Sequence, residues 1–273
     1  MATPQTLDGL PHISVTLINR RADVPLLSIS VNVENLVVRY ESKVAVNGLS
    51  FNIKAGEIYG LLGPNGAGKT STIKAMTGLV ERSGGSITIL GETEPSSKLM
   101  NKVGVVLETP SLLDVLTPNE FLNFVASVRE MDDVQRVKGL VSALDLEQFL
   151  NVPIASLSMG NKQKVAVVAA LMHKPLFLIL DEPFNGLDVK SVRIFKDLLA
   201  KHAEEGGSVL FSTHIMEVAE KICNRIGIIN DGKMVAEGTV SELREKVQAA
   251  SLEDVFLKAI NAEDEIKSIV NSL

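Results

Sequence analysis

The chain has 273 residues, 45% of them hydrophobic and 22% charged, with a formal net charge of -6. This is ample for one large domain with a buried core, and the acidic balance argues against nucleic acid as a partner, because a phosphate backbone rewards a basic surface. The most apolar stretches, 165–172 and 176–180, fall far short of the roughly 18 residues a membrane-spanning helix needs, so any membrane association is expected to come through a partner.

Residues 1 to about 30 show no period and read as an N-terminal extension, with neither the basic start nor the apolar centre of a secretory signal. Residues 31–40, VNVENLVVRY, alternate and are rich in valine, which predicts a strand. Two more strands are predicted around the Ala55-Gly56 turn, the second running from Ile58 straight into a glycine-rich loop. A helix is predicted from Lys69 to Thr77, ending near Gly78, and GGSITILG reads as a short strand after a Gly-Gly turn.

The middle of the chain differs. Thr117-Pro118-Asn119-Glu120 places a capping residue, a first-turn proline and a glutamate in order, predicting a helix from there to about Arg129. Further helical pattern runs over 133–149. Residues from about 95 to 160 are therefore expected to be mainly helical, a subdomain inserted into an α/β core.

Residues 158–173 predict a helix, and 176–180 form a continuous apolar run of the kind found in a parallel strand covered on both faces. Residues 189–203 read as a helix and 208–212 as another apolar strand. Cys223, the single cysteine, allows no internal disulfide, fits a reducing compartment and reads as a small packing residue. Asp231-Gly232 between two strand-like runs signals a hairpin, and the chain from Ser241 onward is helical and charged.

Gly63-Pro64-Asn65-Gly66-Ala67-Gly68-Lys69-Thr70 fits the pattern G-x-x-x-x-G-K-[ST]. Glycines let such a backbone curl so that several N–H groups point inward, and the following helix aims the positive end of its dipole at the same spot. Lys69 would set an ammonium beside the β- and γ-phosphates of a nucleotide, and Thr70 would offer its hydroxyl to Mg2+. The apolar strand before and the helix after supply the context the pattern requires. The expected fold class is thus α/β: a P-loop NTPase core with a mostly parallel sheet, an antiparallel β subdomain and an inserted helical subdomain.

A second constellation ends the run LFLILDEP, where Asp181 and Glu182 close an apolar strand. Such acids belong at a strand's carboxyl end, the edge at which open α/β sheets bind ligands. Asp181 would hold Mg2+, and Glu182 would orient and polarise the attacking water as general base. Taken alone, the pair reads equally as a strand-terminal turn with capping acids; downstream of a phosphate loop, the catalytic reading prevails.

The order of these motifs resembles the ATP-binding subunits of ABC transporters, over about residues 31–238. VGVVLETPSLLDVLT is similar to that family's Q-loop, LSMGNKQ at 157–163 to its signature LSGGQ, NGLD at 185–188 to its D-loop, and STH puts His214 at the switch-histidine position. The resemblance implies ATP and Mg2+ as ligands, bound by the phosphate-loop residues 63–71, including Ser71, with Tyr40 stacked on adenine. It implies that Lys69, Glu182 and His214 act in catalysis, and that Thr70, Glu108 and Asp181 face the metal. Ser158, Met159, Gly160 and Asn161 would act on the nucleotide of a second copy, and Asp188 would line the dimer interface.

Two departures stand out. Glu108 occupies a position usually held by Gln, as in some exporter-type members, and Met159 and Asn161 replace a Gly and the Gln of the signature. SLEDVFLKAI at 251–260 is similar to a segment near the end of many exporter-type subunits; by pattern it is an amphipathic helix, equally a docking element or a regulatory one. The implied organisation is an extension (1–30), an ATPase domain (31–240) and a helical tail (241–273). The implied function is a transport ATPase that dimerises on ATP, works in export, and sits on the cytoplasmic face of the membrane through a separate permease. The alternative is an ABC-type ATPase acting on ribosomes or chromosomes. Against that stand the single ATPase domain, the acidic charge and the lack of heptads between the two motif groups.

Overall fold

The computed structural model describes residues 29–41 and 43–260, so the extension expected over 1–28 and the last part of the tail, 261–273, lie outside the described residues. In chain order the elements are β1 (Ile29–Tyr40), β2 (Lys43–Lys54), β3 (Ile58–Leu62), α1 (Lys69–Met76), β4 (Gly84–Ile89), α2 (Ser97–Met100), β5 (Val103–Val106), α3 (Pro118–Val128) and α4 (Val134–Ala143). They continue with α5 (Met159–Leu171), β6 (Phe177–Asp181), α6 (Val189–Glu204), β7 (Ser208–Thr213), α7 (Met216–Ile222), β8 (Arg225–Asn230), β9 (Lys233–Gly238), α8 (Val240–Val247) and α9 (Leu252–Ala259).

The main sheet has the order β5-β6-β7-β3-β8-β9, with β9 alone antiparallel. A second, three-stranded antiparallel sheet has the order β2-β1-β4. Successive strand residues point to opposite faces, and this divides the core in two. Phe177 and Ile179 of β6 join Tyr59, Leu61 and Leu210 in a cluster with α1 and the three-stranded sheet. Leu178 and Leu180 join Leu62, Val209 and Phe211 in a second cluster with α3 to α6 and the C-terminal helices. Both faces are covered, which is why 176–180 reads as an unbroken apolar run.

The capping box expected at Thr117 is present, with the Thr117 hydroxyl accepting the Glu120 N–H and Glu120 reaching back to the Thr117 N–H. The 231–232 hairpin turn also forms, both residues taking positive φ (46° and 75°) as a two-residue primed turn demands. Three features differ from, or add to, the sequence reading. Residues 95–160, expected to be mainly helical, also hold a strand that was not foreseen: Val103–Val106 belongs to the main sheet, paired in parallel with β6. Four residues with so short an apolar run carry no period of their own. The helical pattern over 133–149 breaks after Ala143, where Asp145 turns to φ 54° and a single 3-10 turn follows at Glu147–Phe149. Helix α7, too short to show a stripe, was not expected.

Candidate nucleotide site

The register of the parallel strands assembles the site. Leu62 at the end of β3 lies opposite Thr213 of β7, and Asp181 at the end of β6 lies opposite Ser212. The phosphate loop, the acid pair and His214 therefore leave the same carboxyl edge of the sheet, from adjacent strands. Glu108 follows β5 by two residues at that edge, exposed, one strand beyond Asp181.

The phosphate loop is wedged between the hairpin of β1 and β2 and the β8–β9 turn. Gly68 has φ 110°, and a Cβ there would also meet the Ala45 carbonyl oxygen of β2 at 2.5 Å; at Gly63 it would meet the Ile229 carbonyl oxygen at 2.5 Å. Gly232 donates its N–H to the Ala67 carbonyl at 2.9 Å, and Asn47 donates to the Gly232 carbonyl at 2.9 Å. Tyr40, paired with Lys43 at the end of that hairpin, is 40% exposed.

Ala67 is buried, Pro64, Thr70 and Ser71 are half-buried, and Asn65 and Gly66 are exposed. Lys69 is buried, and its ammonium donates to the Gly63 carbonyl (2.8 Å) and the Pro64 carbonyl (3.3 Å). It stands 3.6 Å from Glu182 Oε1. Helix α1 starts at Lys69 with no side-chain cap on its N-terminus, so its first-turn amides and dipole are available to an anion.

Asp181 is 1% exposed and Glu182 5%. Ser212 organises both: its hydroxyl donates to Asp181 Oδ1 at 2.5 Å and accepts the Glu182 N–H at 3.0 Å. His214, its ring about half-exposed, sets Nδ1 3.0 Å from Glu182 Oε1. Glu182 itself sits at φ 46°, a conformation that costs a non-glycine residue about 1–2 kcal/mol. The second oxygens, Asp181 Oδ2 and Glu182 Oε2, are buried and have no hydrogen-bond partner among the described residues. A buried acceptor left alone costs about 1–3 kcal/mol, so these two oxygens have the most to gain from a partner at this edge.

Ser158 caps α5, its hydroxyl accepting the Asn161 N–H at 3.3 Å. Ser158 and Met159 are exposed, the latter at 54%, while Gly160 and Asn161 are half-buried. Among the described residues, no hydrogen bond or ion pair joins 158–161 to the phosphate loop; this stretch packs instead on the loop after Glu182. Asp188 caps α6, accepting the Ser191 N–H at 2.9 Å and the Ser191 hydroxyl at 2.7 Å, and pairs with Lys164 Nζ at 2.8 Å. The hydrogen bond from Lys164, with those from Ser191, holds its carboxyl well below the usual carboxylate range. Ser212, Gln163 and Lys164 were not picked out by sequence reasoning. The only signal for Ser212 was a hydroxyl residue closing an apolar strand two places before His214.

A strand, glycine loop and helix carrying a buried lysine, set beside two buried acids at one parallel edge, define a P-loop nucleoside triphosphatase. The ABC transporter family model matches residues 46–185, and the chain belongs to that family, as an ATP-binding and ATP-hydrolysing subunit. It is 36% identical over 233 residues to the linearmycin resistance ATP-binding protein LnrL of Bacillus subtilis (strain 168), covering 84% of this chain and 75% of that one. It is 36% identical over 232 residues to the Nod factor export ATP-binding protein I of Burkholderia orbicola (strain AU 1054), covering 83% and 76%. Among solved structures, an ATP-binding subunit of an ABC transporter superposes with a TM-score of 0.79 at 31% identity, covering 84% of this chain and 98% of that one. The ATP-binding cassette MJ0796, in a dimeric post-hydrolysis state bound to ADP and Pi, superposes with a TM-score of 0.66 at 26% identity, covering 77% and 98%.

Proposed function

We propose that two copies of this chain sandwich two ATP molecules and that closure and reopening of the sandwich drive export through a separate integral membrane permease. The observation that carries this reading is the divided site. Lys69, Asp181, Glu182 and His214 converge at one sheet edge, while Ser158, an exposed residue, caps a different helix. The missing half of each site is then supplied by the signature of the other copy, with Asp188 near the seam. Export is supported by the names of relatives, Nod factor export among them, and by Glu108 and the 251–260 segment. No helix among the described residues is long and apolar enough to cross a membrane, which supports a permease on another chain and a peripheral place for this one.

Mg2+ fits the donors present. Among the described residues Asp181 Oδ2 is a buried oxygen without a hydrogen-bond partner, and the Thr70 hydroxyl and the Glu108 carboxylate belong to the same edge. Among the described residues no group of three or more His, Cys, Asp or Glu could by itself hold a metal; Mg2+ bound chiefly through phosphate oxygens and water needs only one or two protein oxygens. When bound it would neutralise charge on the phosphates. In this reading Lys69 exchanges the Gly63 and Pro64 carbonyls for phosphate oxygens. Glu182 takes a proton from water through its free Oε2, and His214 fixes the other oxygen of that carboxylate. Tyr40 supports the adenine.

The test is Glu182→Gln with purified protein, Mg2+ and ATP. Loss of hydrolysis by 100-fold or more, the scale of a lost general base, together with a stable ATP-dependent dimer by light scattering, is the expected result. A variant that turns over at the parent rate, or stays monomeric with ATP bound, would sink the reading.

A further inference from the structure

The first turns of α5 are fastened to the loop after Asp181 at three points. Gly160 approaches Gly186 so closely that a Cβ on it would meet the Gly186 carbonyl oxygen at 2.2 Å. Gln163, only 1% exposed, donates from Nε2 to the Pro183 carbonyl at 3.2 Å. Lys164 Nζ meets Asp188 Oδ2 at 2.8 Å.

The middle contact falls one residue beyond Glu182, whose left-handed backbone persists only if its neighbours hold it. On one side, the Glu182 N–H is held by Ser212. On the other, the Glu182 carbonyl accepts the Asn185 N–H at 3.2 Å. Pro183 has no N–H to anchor; its carbonyl is its only backbone hydrogen-bonding group, and Gln163 takes it.

We infer that Gln163 is a positioning residue for hydrolysis: its side-chain amide, through the Pro183 carbonyl, holds Glu182 in the orientation that activates water. The inference rests on Glu182 as the base. In the proposed dimer it has a further consequence. Ser158 and Gly160, serving the other copy's nucleotide, ride on the helix that steadies this chain's own base, so each copy's signature and base move as one body.

The test is Gln163→Met in the full chain, which keeps the side chain's size and removes its N–H donors. The expected result is a fall in kcat of about tenfold or more, the scale of a slightly misplaced catalytic group, with KM for ATP within twofold of the parent. Amide exchange at Asn185 and Leu187 should quicken, reporting the loosened loop. A kcat within twofold of the parent, a fall in kcat matched by a rise in KM, or unchanged exchange at those two amides would overturn the inference. If the methionine variant does not fold, Gln163→Glu, equal in size and still polar, must show the same split. The two readings fail separately: full turnover in Glu182→Gln removes the base, whereas an inert Glu182→Gln beside a fully active Gln163→Met removes only the tether.

Discussion

Ser212 and Asp181 face each other across β7 and β6, joined by a 2.5 Å hydrogen bond in which the serine hydroxyl donates. The same hydroxyl oxygen accepts the Glu182 N–H at 3.0 Å, so one buried side chain fixes both acids. Ser212→Ala would leave the Asp181 oxygen and the Glu182 N–H without partners in a dry place. The expected cost is about 1–3 kcal/mol of stability and a fall in kcat with little change in ATP affinity. Thermal unfolding together with steady-state ATPase kinetics checks both; an unchanged kcat would separate Ser212 from the chemistry.

Gly160 is the signature residue with no room to change. An alanine Cβ there would sit 2.2 Å from a backbone oxygen of Gly186, and backbone cannot swing aside as a side chain does. Gly160→Ala should cost about 1–3 kcal/mol through the forced shift. It should also weaken ATP-dependent dimerisation while leaving ATP binding to the single chain intact, because among the described residues no hydrogen bond or ion pair joins this helix start to the phosphate loop. Equilibrium dialysis with nucleotide and light scattering with ATP separate the two effects.

The parts legible in the sequence were those with a strong local signature. The loop at 63–70, the acid pair after an apolar run, the Thr117 capping box and the Asp231-Gly232 turn each need only neighbours in sequence. What the sequence hid was made by distant contact. Strand β5 has four residues, and its identity comes from pairing with β6, so its period could not separate it from the helices around it. Ser212 and Gln163 matter through partners 31 and 20 residues away. Gly63 reads in the sequence as letting the loop backbone curl; the need for space against the Ile229 carbonyl oxygen, at 2.5 Å from a Cβ there, comes from a strand far along the chain.

Lys164 and Asp188 carry a pH signature. The Asp188 carboxyl titrates below the ordinary value of about 3.9. A depressed carboxyl contributes stability that is present above the unfolded value and lost as pH falls through the folded one. Lys164→Met removes the leading cause of the depression. The gap in melting temperature between parent and variant should therefore be widest above about pH 4 and narrow as the pH drops toward 2. Asp188 is half-exposed, so solvent screening keeps the gap small, on the order of 1 kcal/mol or less. A gap that does not change with pH would assign the effect to packing of the lysine stem.

His173 gives the opposite test, on a group away from the nucleotide. Its ring follows α5, with Nε2 3.2 Å from the Val103 carbonyl at the start of β5. Burial, reinforced by the Arg129 guanidinium, brings its pKa down from 6.5 to about 4. Between those two values the unfolded chain binds a proton that the folded chain refuses, so stability rises with pH across the window and is lost as pH falls from about 6.5 to 4. A shift of this size corresponds to roughly 3 kcal/mol at most. His173→Gln keeps a donor for the Val103 carbonyl and removes the titration. Urea unfolding at pH 7 and at pH 4.5 should show a smaller loss of stability on acidification for the variant than for the parent. Equal losses would mean that the ring accepts its proton in place and that acid instability arises elsewhere. Arg129 provides the control, because it also donates to the Met100 carbonyl at 2.8 Å. Arg129→Met removes a cation beside the imidazole, so it should raise the His173 pKa toward 6.5 and reduce the stability lost on acidification, even as the lost hydrogen bond lowers stability at pH 7.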